Sequence, residues 1–224
     1  LISVLSCASN AELEFHGHND FGYATANSMA AYRYGCKRVN VAFAGLGERT
    51  GNAALEQVLA NYVREYGNPG LNLQVMGEIA ALIKDKVVPI SAKQPIIGAN
   101  IFTTQAGLHQ TGIHRQAQAP GGLIYLPFDP RVIGRSEVEM NLIGALSGMD
   151  GIISVLNSHR AADDEQKPPL TVASRLAKLV YDRVHAAYDG NFDDARECYV
   201  DYRTTFFESD ELTELAERIR EERG

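Results

Sequence analysis

Cysteine is scarce in this 224-residue chain, and Cys7, Cys36 and Cys198 are too far apart for any CxxC pair. An odd number of widely spaced cysteines excludes a disulfide framework or zinc ribbon as the organising device and favours a reduced, cytoplasmic setting. A basic surplus is also lacking: 21 Lys and Arg stand against 28 Asp and Glu, for a formal charge of −7. General binding to nucleic acid or to an acidic membrane surface, which needs a basic face, is excluded on that balance. Long apolar runs are absent, so no bilayer-spanning segment is expected. There is no internal repeat, no basic leader followed by a cleavage pattern, and no methionine at position 1, where Leu1 stands. The expectation is a piece of a longer polypeptide. What remains, 45% hydrophobic and 22% charged residues, is the composition of a globular chain with a core to bury.

The pattern begins with a short apolar stretch to Asn10 that reads as a helix end or a loop. From Ala11 to His18, Leu13 and Phe15 alternate with Glu12 and Glu14, and His16 and His18 continue the alternation, which predicts a strand. Asn19 and Asp20 are good helix caps before an Ala-rich stretch, Phe21 to Tyr34, that stops at Gly35. A second strand is expected over Arg38–Ala44, then a glycine-rich turn over Gly45–Asn52. A helix follows from Ala53 to Tyr66 with Leu55, Val58, Leu59, Tyr62 and Val63 on one face. Strand, helix, strand, turn and helix in so few residues is the pattern of a parallel sheet with helices outside it. After Asn68-Pro69-Gly70 the pattern turns helical: around Met76–Ile83, after Pro168-Pro169 through Leu176–Ala187, and over Leu212–Ile219. The polar stretch His159–Pro169 reads as a surface linker.

Two motifs carry chemistry. In His16-Gly17-His18-Asn19-Asp20 the two histidines are two residues apart on a strand, so both imidazoles leave the same face and can meet one metal ion. They stand at the strand's C-terminal end, where parallel α/β folds place their chemistry. The second is Gly45-Leu46-Gly47-Glu48-Arg49-Thr50-Gly51-Asn52, a turn that lacks the Lys-Ser/Thr ending of a phosphate loop. Alone it reads as structural; beside the histidine pair it gains weight as part of a site.

The stretch F-H-G-H-N-D-F-G-Y-A-T-A-N-S-M-A-A, followed by G-L-G-E-R-T-G-N-A-A-L-E, closely resembles the α-isopropylmalate synthase/homocitrate synthase family. The likeness is specific over 11–66 and continues more weakly to about residue 157, through A-G-L-H-Q-T-G-I and Y-L-P-F-D-P-R-V-I-G-R. It implies metal-dependent enzymes that condense an acyl-CoA, such as acetyl-CoA, with a 2-oxo acid, transferring an acyl group that becomes alkyl. It further implies metal ligation by His16, His18 and Asn52, and catalytic roles for His109, in acid–base chemistry, and its partner Tyr125. Two imidazoles and an amide oxygen suit a divalent ion, Mn²⁺ or Zn²⁺ ahead of Mg²⁺. In such enzymes the His109–Tyr125 pair serves the neighbouring subunit, so a homodimer with exchanged linker regions is expected. One departure is visible: Ala106 replaces the usual Ser, removing a hydroxyl near His109. Glu48 and Arg49 are expected to brace the turn, and His114, His159 and His185 to be surface residues.

The fold class implied is α/β: the C-terminal portion of a (β/α)8 TIM barrel followed by mostly helical linker subdomains. Residues 1–67 would be the last βα units with the metal site, 68–158 the linker subdomains with His109 and Tyr125, and 159–224 a helical C-terminal subdomain. The R-D-G-type strand that supplies a carboxylate ligand in such barrels is not among these residues, so the chain by itself should bind metal poorly and turn nothing over. Two other readings compete. One is a non-catalytic or split-subunit partner of a full-length synthase. The other is an acyl-CoA lyase on the same barrel, disfavoured because lyases carry G-L-G-G-C-P where this chain has G-L-G-E-R-T-G-N. Isopropylmalate, homocitrate, citramalate and Re-type citrate synthases share these motifs, and the short tail, with no regulatory domain evident, leans away from the longest leucine-pathway enzymes.

Overall fold

A computed structural model describes residues 1–118 (113–118 as backbone only), 125–135, 142–159, 169–188, 207 and 209–222. The described residues form an α/β chain dominated by helices and divided into two compact units. One comprises Leu1–Ile101 with Pro130–Ser136, the other Phe102–Asp129 with Glu137–Gly224.

The first unit runs α1 (Ile2–Ala8), β1 (Glu14–His16), α2 (Ala24–Arg33), β2 (Arg38–Asn40), a 3₁₀ turn (Phe43–Gly45), α3 (Leu55–Tyr66) and α4 (Val75–Lys86), with a second 3₁₀ turn at Pro130–Ile133. β1 and β2 pair in parallel, with Phe15 opposite Val39 and His16 opposite Asn40. This is the expected strand–helix–strand order, but both strands are shorter than their alternation suggests. β1 stops at His16 because the chain there turns toward the glycine loop: His18 pairs antiparallel with Asn52 rather than with β2. β2 ends early because Ala42 bridges to Ala54, which then feeds α3. The core is Ala24, Met29, Ala53 and Val58, with Val39, Val41 and Tyr62 packed against it. Burying the one-sided apolar stripe of α3 there holds the helix in place, at roughly 25 cal/mol per Å² of apolar surface removed from water. Gly67, at φ +84°, ends α3 by donating its N–H to Val63 O.

The cap of α2 differs from expectation. The helix starts at Ala24, four to five residues beyond Asn19 and Asp20, because Gly22 at φ +75° makes a turn first. Asn19 still meets the helix, its Oδ1 accepting the Ala24 N–H at 3.2 Å. Asp20 is used elsewhere.

The second unit contains α5 (Gly107–Gln118), α6 (Met149–Ser158), α7 (Arg175–Ala186) and α8 (Ser209–Glu221). Leu212, Leu215, Ala216 and Ile219 are all buried, as the helical spacing predicts, together with Val180, Val184, Ile152, Val155 and Leu156. Asp210 and Glu211 in the first turn of α8, and Arg218 and Arg220 in the last, suit the helix dipole. Helix α6 has no counterpart among the sequence expectations. The linker expected over His159–Pro169 lies almost wholly outside the described residues. Among the described residues no helix is long and apolar enough to cross a membrane.

One buried charge in the first unit has a pH consequence. Glu56 is fully buried on α3, and its Oε2 accepts the Ala44 N–H at 2.9 Å. Burial pushes its carboxyl up from the usual 4.5, against a smaller lowering by backbone N–H groups including that of Ala44. As pH rises through 4.5 the unfolded chain loses this proton while the folded chain keeps it. Stability therefore falls with rising pH until the folded carboxyl also ionises. Glu56→Gln keeps an oxygen for Ala44 and should flatten that slope, leaving the variant the more stable at neutral pH. Urea unfolding at pH 5 and pH 7.5 checks it; equal slopes in both proteins would contradict the argument.

Candidate functional site

The loops after the two strands are stitched together. Asn19 N–H donates to Gly51 O at 2.8 Å, Asn52 N–H to Gly45 O at 2.9 Å, and Gly51 N–H to Glu48 O at 2.9 Å. Two glycines make this possible. Gly51 sits at φ +89°, and a Cβ there would overlap the Gly45 carbonyl. Gly47 lies against the Asn52 amide, 2.5 Å from where its own Cβ would be. Ala44 and Arg49, at φ 55° and 54°, take left-handed conformations in the same loop.

The stitching brings two of the three expected ligands directly together. His16 Nε2 and His18 Nε2 are 3.2 Å apart, with ring planes at 87°. Two nitrogens each about 2.1 Å from a shared ion, at an angle near 100°, are about that far apart. Both rings are exposed at the strand end. Asn52 is held beside His18 by the backbone bridge; its Nδ2 donates to Leu46 O at 2.9 Å, while its Oδ1 is buried without a hydrogen-bond partner. A buried amide oxygen left unpaired is costly, and a cation is one way to satisfy it. The donors present, two imidazole nitrogens and one amide oxygen, thus fit a borderline divalent ion. Among the described residues no cluster of three His, Cys, Asp or Glu could hold a metal.

Arg49 braces the turn as expected, and its partner is Asp20. The guanidinium straddles the carboxylate, Nε to Oδ1 at 2.8 Å and Nη2 to Oδ2 at 2.9 Å, and Thr50 Oγ1 adds a longer contact at 3.4 Å. The Arg49 hydrogen bonds, with its charge and Thr50 adding to them, hold the Asp20 carboxyl down at about 2. The clamp joins the loop after β1 to the loop after β2 in a fixed charge state at any pH where imidazole chemistry operates. Glu48, by contrast, is a solvated side chain 3.9 Å from Arg49. Below His16 on the same strand face, Glu14 accepts a hydrogen bond from Asn40 Nδ2.

In the second unit, α5 displays His109 on its exposed face. Tyr125 stacks on it, ring centroids 4.8 Å apart and planes tilted by 30°. Gly112, one turn along, packs beside the tyrosine ring, which lies 3.8 Å from where a Cβ would be, an ordinary contact distance. The two residues assigned together by sequence resemblance therefore touch. His159 lies at the surface, where its Nδ1 contacts Val155 O. His185 does not fit the expectation of a surface residue: it is half-buried, stacked on Tyr181, with Nε2 3.0 Å from Ser147 O. The side chain of His114 lies outside the described residues. Two buried polar residues, Glu56 and Gln110, escaped the sequence reading, because nothing in a helical pattern marks a single buried carboxylate or amide.

Residues 1–83 match the HMGL-like family model. The citrate (Re)-synthase of Clostridium kluyveri is 34% identical over 158 residues, 69% of this chain and 33% of the relative. The 2-isopropylmalate synthase 2 of Caldanaerobacter subterraneus is 33% identical over 193 residues, 82% of this chain and 48% of the relative. Homocitrate synthase 1 of Nostoc sp. is 34% identical over 163 residues, 70% and 41% respectively. The chain spans a third to a half of the length of these curated relatives. On motifs, family model and relatives together, it resembles the isopropylmalate synthase/homocitrate synthase family.

Proposed function

We propose that the protein is an acyl-CoA-dependent 2-oxo acid condensing synthase, to which this chain contributes the metal-binding and proton-transferring residues. In this reading residues 1–67 are the last βα units of a TIM barrel, 68–158 the linker subdomains and 159–224 a helical C-terminal subdomain. The observation that carries it is the His16–His18 nitrogen pair at 3.2 Å, with Asn52 bridged to His18.

His16 and His18 would each offer Nε2 to a divalent ion, Mn²⁺, Zn²⁺ or Mg²⁺, and Asn52 its Oδ1; further ligands come from outside the described residues. When bound, the ion supplies Lewis-acid polarisation of the 2-oxo acid carbonyl. The Asp20–Arg49 clamp keeps the two ligand loops in register, so the donors are pre-positioned rather than gathered on binding. His109 transfers a proton during enolisation of the acyl-CoA methyl or at the new alkoxide, with Tyr125 fixing the plane of its ring. Carbon–carbon bond formation is followed by attack of water on the thioester, which releases free CoA thiol and a 2-hydroxy acid. The partner expected is a second copy of the protein, each linker region serving the other's site.

The turn G-L-G-E-R-T-G-N and the synthase relatives support condensation over lyase chemistry. A thiol-release assay on the intact gene product tests it, with acetyl-CoA and Mn²⁺ against pyruvate, 2-oxoisovalerate, 2-oxoglutarate and oxaloacetate. CoA release with one of these acids, lost on chelation, is expected. Silence with all four, alongside cleavage of a 3-hydroxyacyl-CoA, would assign the lyase reaction instead.

A further inference from the structure

The residue following His109 points the other way, into the unit. Gln110 is fully buried, and its amide joins α5 to Thr104 and to the 142–148 segment, more than thirty residues on. Its Nε2 donates toward Leu142 O at 3.2 Å and Ser147 Oγ at 3.3 Å, with Thr104 O at 3.5 Å, and its Oε1 accepts the Gly148 N–H at 3.2 Å. Ser147 Oγ in turn accepts the Gly144 N–H at 3.0 Å. The start of α5 is pinned to the same segment by backbone: Gly107 N–H donates to Leu146 O at 3.1 Å, and Gly107 packs directly against Gly148. Gly151, on α6, has no side chain where the Gln110 amide lies; a Cβ there would overlap Oε1.

We propose that Gln110 is a positioning residue that sets the orientation of His109; the inference rests on the reading of His109 as the proton-transfer group. His109 is exposed and lies against Tyr125, so the direction of its Cα–Cβ bond is set by the rotation of the first turns of α5. That rotation is fixed where the helix meets the 142–148 segment. Beside the Gly107–Leu146 backbone bond and the Thr111 Oγ1 bond to Asp150 Oδ2 at 2.7 Å, the Gln110 amide is the side chain that both donates and accepts there. A fully buried glutamine with all its partners on backbone or on a buried hydroxyl is a rigid anchor: breaking it strands the buried Gly148 N–H, while Thr104 O, Leu142 O and Ser147 Oγ keep their other partners.

Two variants of the intact gene product test this by independent routes. Gln110→Met keeps the volume and loses the bonds. Gly151→Ala places the better helix former on α6 and displaces the amide from outside, so a loss there is not a failure of helix α6 itself. In both, turnover is expected to fall on the order of 10- to 100-fold, while KM for the 2-oxo acid and Mn²⁺ affinity stay within about twofold. NMR of ring-¹³C-histidine protein, with the His109 signal assigned from His109→Ala, should show that signal leaving its Tyr125-stacked position toward that of a free imidazole. Full turnover and an unmoved His109 signal in either folded variant overturn the proposal. A moved signal with turnover intact, also in His109→Ala, upholds Gln110 as the residue that fixes the ring and removes the catalytic reading of His109.

Discussion

His18→Ala in the intact gene product should weaken divalent-metal binding by more than about 100-fold, the upper end of what loss of a mere supporting contact costs. Condensing activity should fall with it. The argument is geometric: His18 belongs at once to the nitrogen pair with His16 and to the backbone bridge with Asn52. Its removal takes away one of the two converging imidazole nitrogens and leaves His16 without its paired donor. Asn52→Ala should cost less, because the two imidazoles still converge, but it also frees Leu46 O from its side-chain donor and loosens the turn. Calorimetric titration with Mn²⁺, with metal content measured after desalting, provides the check. Unchanged binding in His18→Ala would place the ion elsewhere and end the assignment.

His109→Ala should lower turnover by roughly 10²- to 10⁴-fold, the range of general acid–base catalysis, with Mn²⁺ binding left alone. Tyr125→Phe keeps the stacked ring and loses only the hydroxyl, so its effect should be smaller. Because the pair acts as a unit, the double variant should be little worse than His109→Ala. If the linker region serves the neighbouring subunit, mixing His18→Ala and His109→Ala chains restores one intact site per mixed dimer, about a quarter of the activity at random assortment. Each variant alone would be near-silent. Failure of the mixture to recover would argue for sites built within one subunit.

The histidine pair was legible because one short-range rule suffices there: alternation puts His16 and His18 on one side. Where the strands stop was not legible, since the length of β1 is decided by the pairing of His18 with Asn52, 34 residues away, and not by local pattern. Helix α6 was missed for a related reason. Gly-Ile-Ile-Ser-Val-Leu within Met149–Ser158 is a short apolar run that suits a buried strand as well as a helix. Only Ser154 interrupts the run, so the helical period shows only when the flanking Asp150, Asn157 and Ser158 are counted with it. His185 looked like one more polar residue on an amphipathic helix, and only the fold brings the Ser147 carbonyl to its Nε2. Arg49 was readable as a brace, but the choice of Asp20 as its partner came from two loops meeting. The motif residues of the site are visible in sequence, and the buried polar atoms that hold them in place are not.

Surface loops ordinarily tolerate insertions cheaply, because lengthening them costs little closure entropy. The loops after β1 and β2 have lost that freedom. With Asn19 ending on Gly51 and His18 paired to Asn52, one residue added to either would slip the ladder and carry a donor to the wrong side. Length variation in this region should therefore collect at 68–74, where Asn68 closes a self-contained turn on Leu71, and avoid both glycine-bearing segments.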